Sequence, residues 1–374
     1  MDVFDILDRL VAFPSVAGRP NNDIASWIET YLGQYGAKVR LVPGPEGDRS
    51  NLFATIGPTD VPGYILSGHM DVVPACEPQW RSDPFALRRE GERLYGRGTT
   101  DMKGFLAAVL AAASALAKLR LARPIHIAFS YDEEIGCRGV PHLIARLSEF
   151  CAKPLGVIVG EPSGMRAVRG HKGKAAARVT IGGRSGHSSR PDLGLNAIHA
   201  MSDVLSAAVR EAERLRQGPS DANFEPAYSS LQAGVIAGGQ SVNIIPDSCT
   251  IELEARAIPE IDPAGLLAPV KAQAEALAAR GYAVEWTPVS AYPALSLPPD
   301  SALSVLLGEL TGAVPLAAVS YGTEAGLYQA AGLDAIICGP GDIGRAHKPD
   351  EYILQSELAV CQRMIEALGT RCAA

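Results

Sequence analysis

Apolar positions recur along this chain with two different periods, and the change between them marks its organisation. The opening stretch MDVFDILDRLVAF sets acids and apolar residues at helical spacing, and 23–36 reads as an amphipathic helix. Residues 50–57 and 64–70 read as strands, and 105–119 (FLAAVLAAASALAKL) as an Ala/Leu-rich helix packed on a sheet. PIHIAFSYDEE opens as an apolar strand, 137–149 reads as a helix, and LGVIVGEP is a short, fully apolar strand. Continuous apolar strands alternating with helices predict an α/β sheet covered on both faces.

The style changes after about Gly173. AAARVTIGG alternates as a half-exposed strand, a long helix is expected over roughly 192–215, and 216–228 is loop-like in composition. SLQAGVIAGG, CTIELEARAI, the helix PAGLLAPVKAQAEALAAR and the strand YAVEWTPVS follow. This β-α-β-β-α-β order predicts a small α+β, ferredoxin-like sandwich with helices on one face. After Pro293 the first style returns: a helix near 301–310, TEAGLYQAAG, the strand DAIICG and a closing helix. The expected organisation is one α/β domain, 1–173 and 292–374, with a second domain, 174–291, inserted into it.

Composition narrows the functional classes. The chain has 374 residues, 47% of them hydrophobic, which suits two cores better than one. A formal net charge of −7 offers no basic surface for nucleic acid or anionic lipid. No apolar run reaches the length of a spanning helix, and the N-terminus has no basic segment or small-residue cleavage site, so no membrane anchor or signal peptide is expected. Seven scattered cysteines without a CxxC pair argue against a disulfide framework and for a reducing cytoplasm.

Candidate chemistry gathers where strands end, the edge on which α/β folds build their sites. In ILSGHMDVVP, His69 and Asp71 are two apart, so a strand points both to one face. Glu133 and Glu134 follow IHIAFSYD, Glu161 follows LGVIVG, His347 follows DAIICGPGDIGRA, and Asp101 lies in YGRGTTDMKG before the Ala-rich helix. Each has a plain alternative: Asp101 as a helix cap, the Glu pair as a solvated turn, Glu161 as a strand end. Two imidazoles and three carboxylates at one edge instead make a donor set for a pair of divalent cations, Zn²⁺ or else Co²⁺ or Mn²⁺, with one carboxylate bridging. In the Glu pair, one side chain would bind metal and its neighbour accept a proton.

SGHMDVVP, LYGRGTTDMKG, SYDEEIGC, GEPSGM, GHKG, GHSSRPDLGLNAI, SVNIIPD and GPGDIGRAHKPDEYI together resemble the dinuclear-zinc amidohydrolase and exopeptidase family. That family includes acetylornithine deacetylases, succinyl-diaminopimelate desuccinylases, aminoacylases and glutamate carboxypeptidases. The match runs from about Leu7 to the closing helix, and SYDEEIGC, VGEPSGM, GHKG and YGTEAGLYQAAG are most similar to the acetylornithine deacetylase branch. The resemblance implies a catalytic domain with a mixed sheet covered by helices, plus an inserted domain through which the protein dimerises. It implies that Asp101 bridges two metals, that His69 and Glu161 complete one set and Glu134 and His347 the other. It also implies Glu133 as general base, Asp71 as the partner orienting His69, and a cis peptide after Asp101. His187 would reach the partner subunit's site and stabilise the oxyanion, with Asn243 and Arg256 contacting substrate. Arg256 would hold a carboxylate, although the acid of its family motif is Glu254 here. Glu324, with Thr323 beside it, is the candidate for a side-chain ammonium, unless it only starts a helix. The expected activity is hydrolysis of N-acyl-amino acids, N2-acetyl-L-ornithine foremost, as in arginine biosynthesis. A desuccinylase, aminoacylase or dipeptidase of the same fold, or a metal-free binding protein, are the rivals.

Overall fold

The computed structural model describes every residue from Met1 to Ala374, and the chain forms two compact units. The first comprises Met1–Gly170, Leu295–Ala318 and Thr323–Ala374; the second comprises His171–Ala294 and Val319–Gly322.

The first unit is built on a six-stranded sheet. Its strands run, across the sheet, Lys38–Pro43, Ser50–Ile56, Ile125–Ser130, Tyr64–His69, Gly156–Pro162 and Ala335–Gly339. The first two pairings are antiparallel and the last three parallel, so the sheet is mixed. The central strands are buried along nearly their whole length, which explains their continuous apolar runs. Helices Val3–Val11, Asn22–Gly33, Gly104–Leu116 and Gln355–Cys372 share one core with the strand side chains. Gly104–Leu116 is apolar all round because it is covered all round, with ten of its thirteen residues buried.

Parallel pairing fixes what happens at one end. Leu66 aligns with Ile127 on one side and Ile158 on the other, and Ile158 aligns with Ile336. Four consecutive parallel strands therefore finish at a common edge, and the segments leaving them start side by side.

The second unit is a four-stranded antiparallel sheet ordered Ser230–Gly238, Ser248–Ala257, Gly173–Gly182, Ala283–Tyr292. With helices Ala197–Arg216 and Ala268–Ala276 this is the β-α-β-β-α-β arrangement read from the sequence. Alternate residues of Gly173–Gly182, among them Ala177, Val179 and Ile181, meet Met201, Val204 and Val270 in a separate core. Ser230–Gly238 is an outer strand of this sheet, and Gln232 through Gly238 are exposed.

Two elements differ from the periodicity. The expected helix 137–149 is a turn followed by Val140–Ile144 and Leu147–Phe150, because Cys137 takes a φ of 55° and cannot continue a helix. The long helix starts at Ala197, not near 192, because Pro191–Leu193 forms a separate 3-10 turn and the Asn196 side chain caps the His199 N–H at 3.0 Å. All seven cysteines are free, and no helix is long and apolar enough to cross a membrane.

Close packing of the parallel strands yields a test. A Cβ on Gly339 would lie 1.9 Å from the carbonyl oxygen of Gly160, a backbone atom that cannot swing aside. Gly339→Ala should cost about 3 kcal/mol or more in urea unfolding. Gly33→Ala, where a Cβ meets nothing within 4 Å, should instead raise stability by about 0.5–1 kcal/mol.

Candidate metal centre

His69 is the last residue of strand Tyr64–His69 and Glu161 lies near the end of Gly156–Pro162. Glu133 and Glu134 leave strand Ile125–Ser130 through a tight turn at Asp132, whose φ is 54°. The Asp132 carboxylate holds that turn by accepting from the Gly18 N–H at 2.7 Å and from Arg49. His347, also left-handed at φ 57°, follows strand Ala335–Gly339. Asp101 comes from the loop before helix Gly104–Leu116, and its peptide to Met102 is cis.

These side chains converge. One Asp101 oxygen, Oδ1, is 3.0 Å from His69 Nε2, and the other, Oδ2, is 3.4 Å from His347 Nε2. His69 Nε2 is also 3.8 Å from Glu161 Oε1. His347 Nε2 lies 3.0 Å and 3.1 Å from the two oxygens of Glu134. Glu133 is near as well: the ligand atoms of His69, Glu133 and Glu161, and those of His69, Asp101 and Glu134, each fit within 4.8 Å. Glu133 is less engaged than Glu134, since its contact is the Cys137 thiol, donating to Oε1 at 3.4 Å.

The tautomers follow from the partners. His69 Nδ1 lies 2.9 Å from the main-chain carbonyl of Asp71, which only accepts, so Nδ1 carries hydrogen. Nε2 then faces carboxylates with its lone pair, an arrangement that needs a proton or a metal ion between the atoms. The donor set of two imidazoles and several carboxylates, with Asp101 turning one oxygen to each histidine, therefore fits a pair of divalent cations.

Asp71 differs in detail from expectation. Its carboxylate stands 3.6 Å from His69 Nδ1, farther than its own carbonyl. The carboxylate instead accepts from the N–H groups of Glu133 and Glu134, both at 3.1 Å, and so holds the Glu pair.

Electrostatics reflect the crowding. Burial, reinforced by Glu134, pushes the Glu133 carboxyl well above its ordinary range, and burial with the Asp101 charge does the same to Glu161. Asp101 is held low despite its burial, by its hydrogen bonds to His347 and His69. The bonds from His347 to Asp101 and Glu134 raise its ring to about 10, while burial and Asp101 raise Glu134 to about 7.

Other candidates lie apart from this cluster in the sequence. Thr323 is buried and its hydroxyl accepts from the Ala325 N–H at 3.0 Å, starting helix Ala325–Ala330. Glu324 beside it is 1% exposed, and neither oxygen has a well-formed hydrogen bond. Burial pushes its carboxyl up to about 7, against the pull of Ser130 and His69. His187, Asn243 and Arg256 belong to the second unit. His187 and Asn243 are exposed neighbours there, joined by the Ser188 N–H donating to the Asn243 carbonyl at 3.1 Å. The Ser189 N–H donates to His187 Nδ1 at 3.2 Å, so the neutral ring carries its hydrogen on Nε2, free to donate elsewhere. Arg256 is half-buried, with Nε on Glu254 at 2.8 Å and Nη1 on the Tyr292 hydroxyl at 3.4 Å.

Comparison with known proteins adds to this geometry. The model of the family described as Peptidase family M20/M25/M40 matches residues 65–371. The chain is 32% identical over 388 residues to the acetylornithine deacetylase of Proteus mirabilis (strain HI4320), covering 98% of this chain and 94% of that protein. It is 30% identical to the acetylornithine deacetylase of Photorhabdus laumondii subsp. laumondii, covering 97% and 95%. Among solved structures, an M20 family metallo-carboxypeptidase from Sulfolobus solfataricus matches with a TM-score of 0.81 at 20% identity, covering 99% of each chain. A dinuclear metal binding peptidase of that family from Bacillus subtilis matches at 0.68 and 16%, covering 99% and 97%.

A pH-dependent measurement follows from the electrostatics. At pH 7 the cluster's own charges keep a proton on His347, whose nitrogen must be bare to bind a cation. Uptake of Zn²⁺ should therefore release protons, and affinity should rise with pH towards 10. Calorimetry in two buffers of different ionisation enthalpy reads the released protons directly.

Proposed function

The chain belongs to peptidase family M20/M25/M40, and we propose that it hydrolyses the amide bond of N-acyl-amino acids with two divalent cations. Its proposed substrate is N2-acetyl-L-ornithine, giving L-ornithine and acetate, a step of arginine biosynthesis. The observation that carries this reading is Asp101 turning one oxygen to each imidazole while Glu133 stands beside them unengaged by either. The full-length similarity to two acetylornithine deacetylases supports the choice of substrate.

In this reading Asp101 bridges, His69 and Glu161 complete one metal's ligands, and Glu134 and His347 complete the other's. Zn²⁺ suits this set, as do Co²⁺ and Mn²⁺. When bound, such a pair lowers the pKa of water and polarises the amide carbonyl. Glu133 accepts the proton of the attacking water and delivers it to the departing amine nitrogen. Asp71 fixes the backbone of the Glu pair and, through its carbonyl, the ring of His69.

The second unit supplies recognition and assembly. Arg256 would hold the substrate carboxylate, with Asn243 as a further contact. From the first unit, Glu324, buried and without a strong partner, is available for the ornithine ammonium, beside Thr323. The second unit is also the proposed dimerisation face, because Ser230–Gly238 is an outer strand that exposes Val235 and Ile236. In the homodimer, His187 of one protomer would donate Nε2–H to the oxyanion formed in the other's site, a contact worth about 3–4 kcal/mol. A reducing cytoplasm fits the seven free cysteines.

Substrate choice is decided by turnover of N2-acetyl-ornithine, succinyl-diaminopimelate, N-acetyl-methionine and a dipeptide in the presence of Zn²⁺ or Co²⁺. Acetyl-ornithine should give the highest kcat/KM, and Glu324→Ala should damage it more than acetyl-methionine. Equal losses on both would remove Glu324 from recognition, and faster turnover of another substrate would replace the proposed one.

Glu133→Gln should keep its metal content while kcat falls by about a hundredfold or more. Mixing this variant with His187→Ala should restore activity, because one site of each heterodimer then has both intact residues. No recovery after confirmed subunit exchange would refute the role across the dimer.

A further inference from the structure

Glu351 has no place among the groups that touch substrate or metal, yet its carboxylate is 1% exposed and accepts four hydrogen bonds. Oε1 takes the N–H groups of Thr100 at 2.9 Å and Asp101 at 3.1 Å. Oε2 takes the N–H of Gly98 at 2.9 Å and Nη1 of Arg97 at 2.9 Å. Arg97 is buried to the same degree, and its Nη2 reaches the carbonyl of Pro74 at 3.2 Å and Glu77 at 3.4 Å. Two main-chain links reinforce the contact: the Gly96 N–H donates to the Glu351 carbonyl at 2.9 Å, and the Thr100 hydroxyl to that of Tyr352 at 2.7 Å.

Burying a carboxylate and a guanidinium costs several kcal/mol for each ion, and hydrogen bonds must offset this. Here the bonds go to a loop that cannot satisfy itself. Gly98 is left-handed at φ 82°, and Asp101 and Met102 leave helical geometry at φ −123° and −135°. The N–H groups of Gly98, Thr100 and Asp101 take their acceptor from outside the loop. The acceptor comes from a segment 250 residues away, four residues beyond His347. That segment is likewise held from outside: Asp350, which has a positive φ, accepts from the Arg81 N–H at 3.2 Å and from Arg88 Nη2 at 3.4 Å. One buried ion pair thus joins the loop bearing Asp101 to the loop bearing His347.

We propose that Arg97 and Glu351 are a positioning pair that sets the Asp101 carboxylate against the His347 ring and thereby fixes how tightly the cation between them is held. This rests on the metal-centre reading above. Neither residue touches the cation; each acts through the backbone it holds.

The test uses the full chain, stripped of metal by a chelator and titrated with Zn²⁺ against a chromophoric competitor. The Co²⁺ visible spectrum and the thermal midpoint of the metal-free protein are recorded in parallel. Wild type should take up two ions. Glu351→Gln should weaken at least one binding step by about 10–100-fold and change the Co²⁺ spectrum. Arg97→Lys, which keeps the charge and loses the fork, should show a smaller loss in the same direction and decides the matter should Glu351→Gln fail to fold. Glu211→Gln, at a buried carboxylate of the second unit paired with Arg214, should leave metal binding unchanged. Unchanged affinity and spectrum in the Glu351 and Arg97 variants, even with a lower midpoint, would overturn the proposal, as would an equal loss in Glu211→Gln. A wild-type chain that takes up fewer than two ions would overturn it together with the metal-centre reading.

Discussion

Asp71, Asp101, Glu134, Glu161 and Glu351 crowd one end of a six-stranded sheet, and their like charge is the constraint under which the first unit folds. Carboxylates this close and this dry repel one another unless donors or cations intervene. The protein offsets part of the repulsion with its own backbone. Asp71 takes the two N–H groups of the Glu pair, and Glu351 takes three from the Asp101 loop. Another part is met by positive side chains, Arg97 at Glu351 and the two histidines at Asp101. What remains is a set of oxygens and imidazole nitrogens aimed at one another, which is the form a cation-binding site takes before chemistry is considered.

The sheet explains why these groups meet. Parallel register brings four strand ends to one edge, and each connection leaves that edge with a single useful side chain or pair. Two of the exits, at Asp132 and His347, are non-glycine residues with positive φ. Such turns are unfavourable on their own and persist where neighbouring contacts determine them, as the Gly18 and Arg49 contacts do for Asp132. The second unit follows another rule: His187 and Asn243 are exposed, on an antiparallel scaffold whose own core is complete without them.

Much of this was legible in the residues. Runs such as IHIAFS and GVIVG are buried on both faces and read as central strands for that reason. The ligand-type residues were visible because they interrupt or end such runs. Less visible were features that depend on main-chain partners. Asp71 is spaced to suggest a contact between its carboxylate and His69, but spacing cannot tell a carboxylate from a carbonyl. Glu351 lies within the quoted HKPDEYI segment and gave no sign of importance, because its partners are N–H groups that every residue but proline has. The break near Cys137 was hidden for a similar cause: local composition favours a helix, and a left-handed residue with packed neighbours overrules it.

The order of the chain has a consequence for its synthesis. Strand Gly156–Pro162 needs Ala335–Gly339 to cover its outer side, and 172 residues separate the end of the first from the start of the second. At roughly 5–20 residues per second a ribosome takes about 9 to 35 seconds to bridge that distance. For that time the nascent chain carries an apolar strand with an open edge, and within it the whole second unit is made, His171–Ala294 first and then Val319–Gly322. The insertion can therefore condense first, and the half-built sheet is the species that a holding chaperone would find.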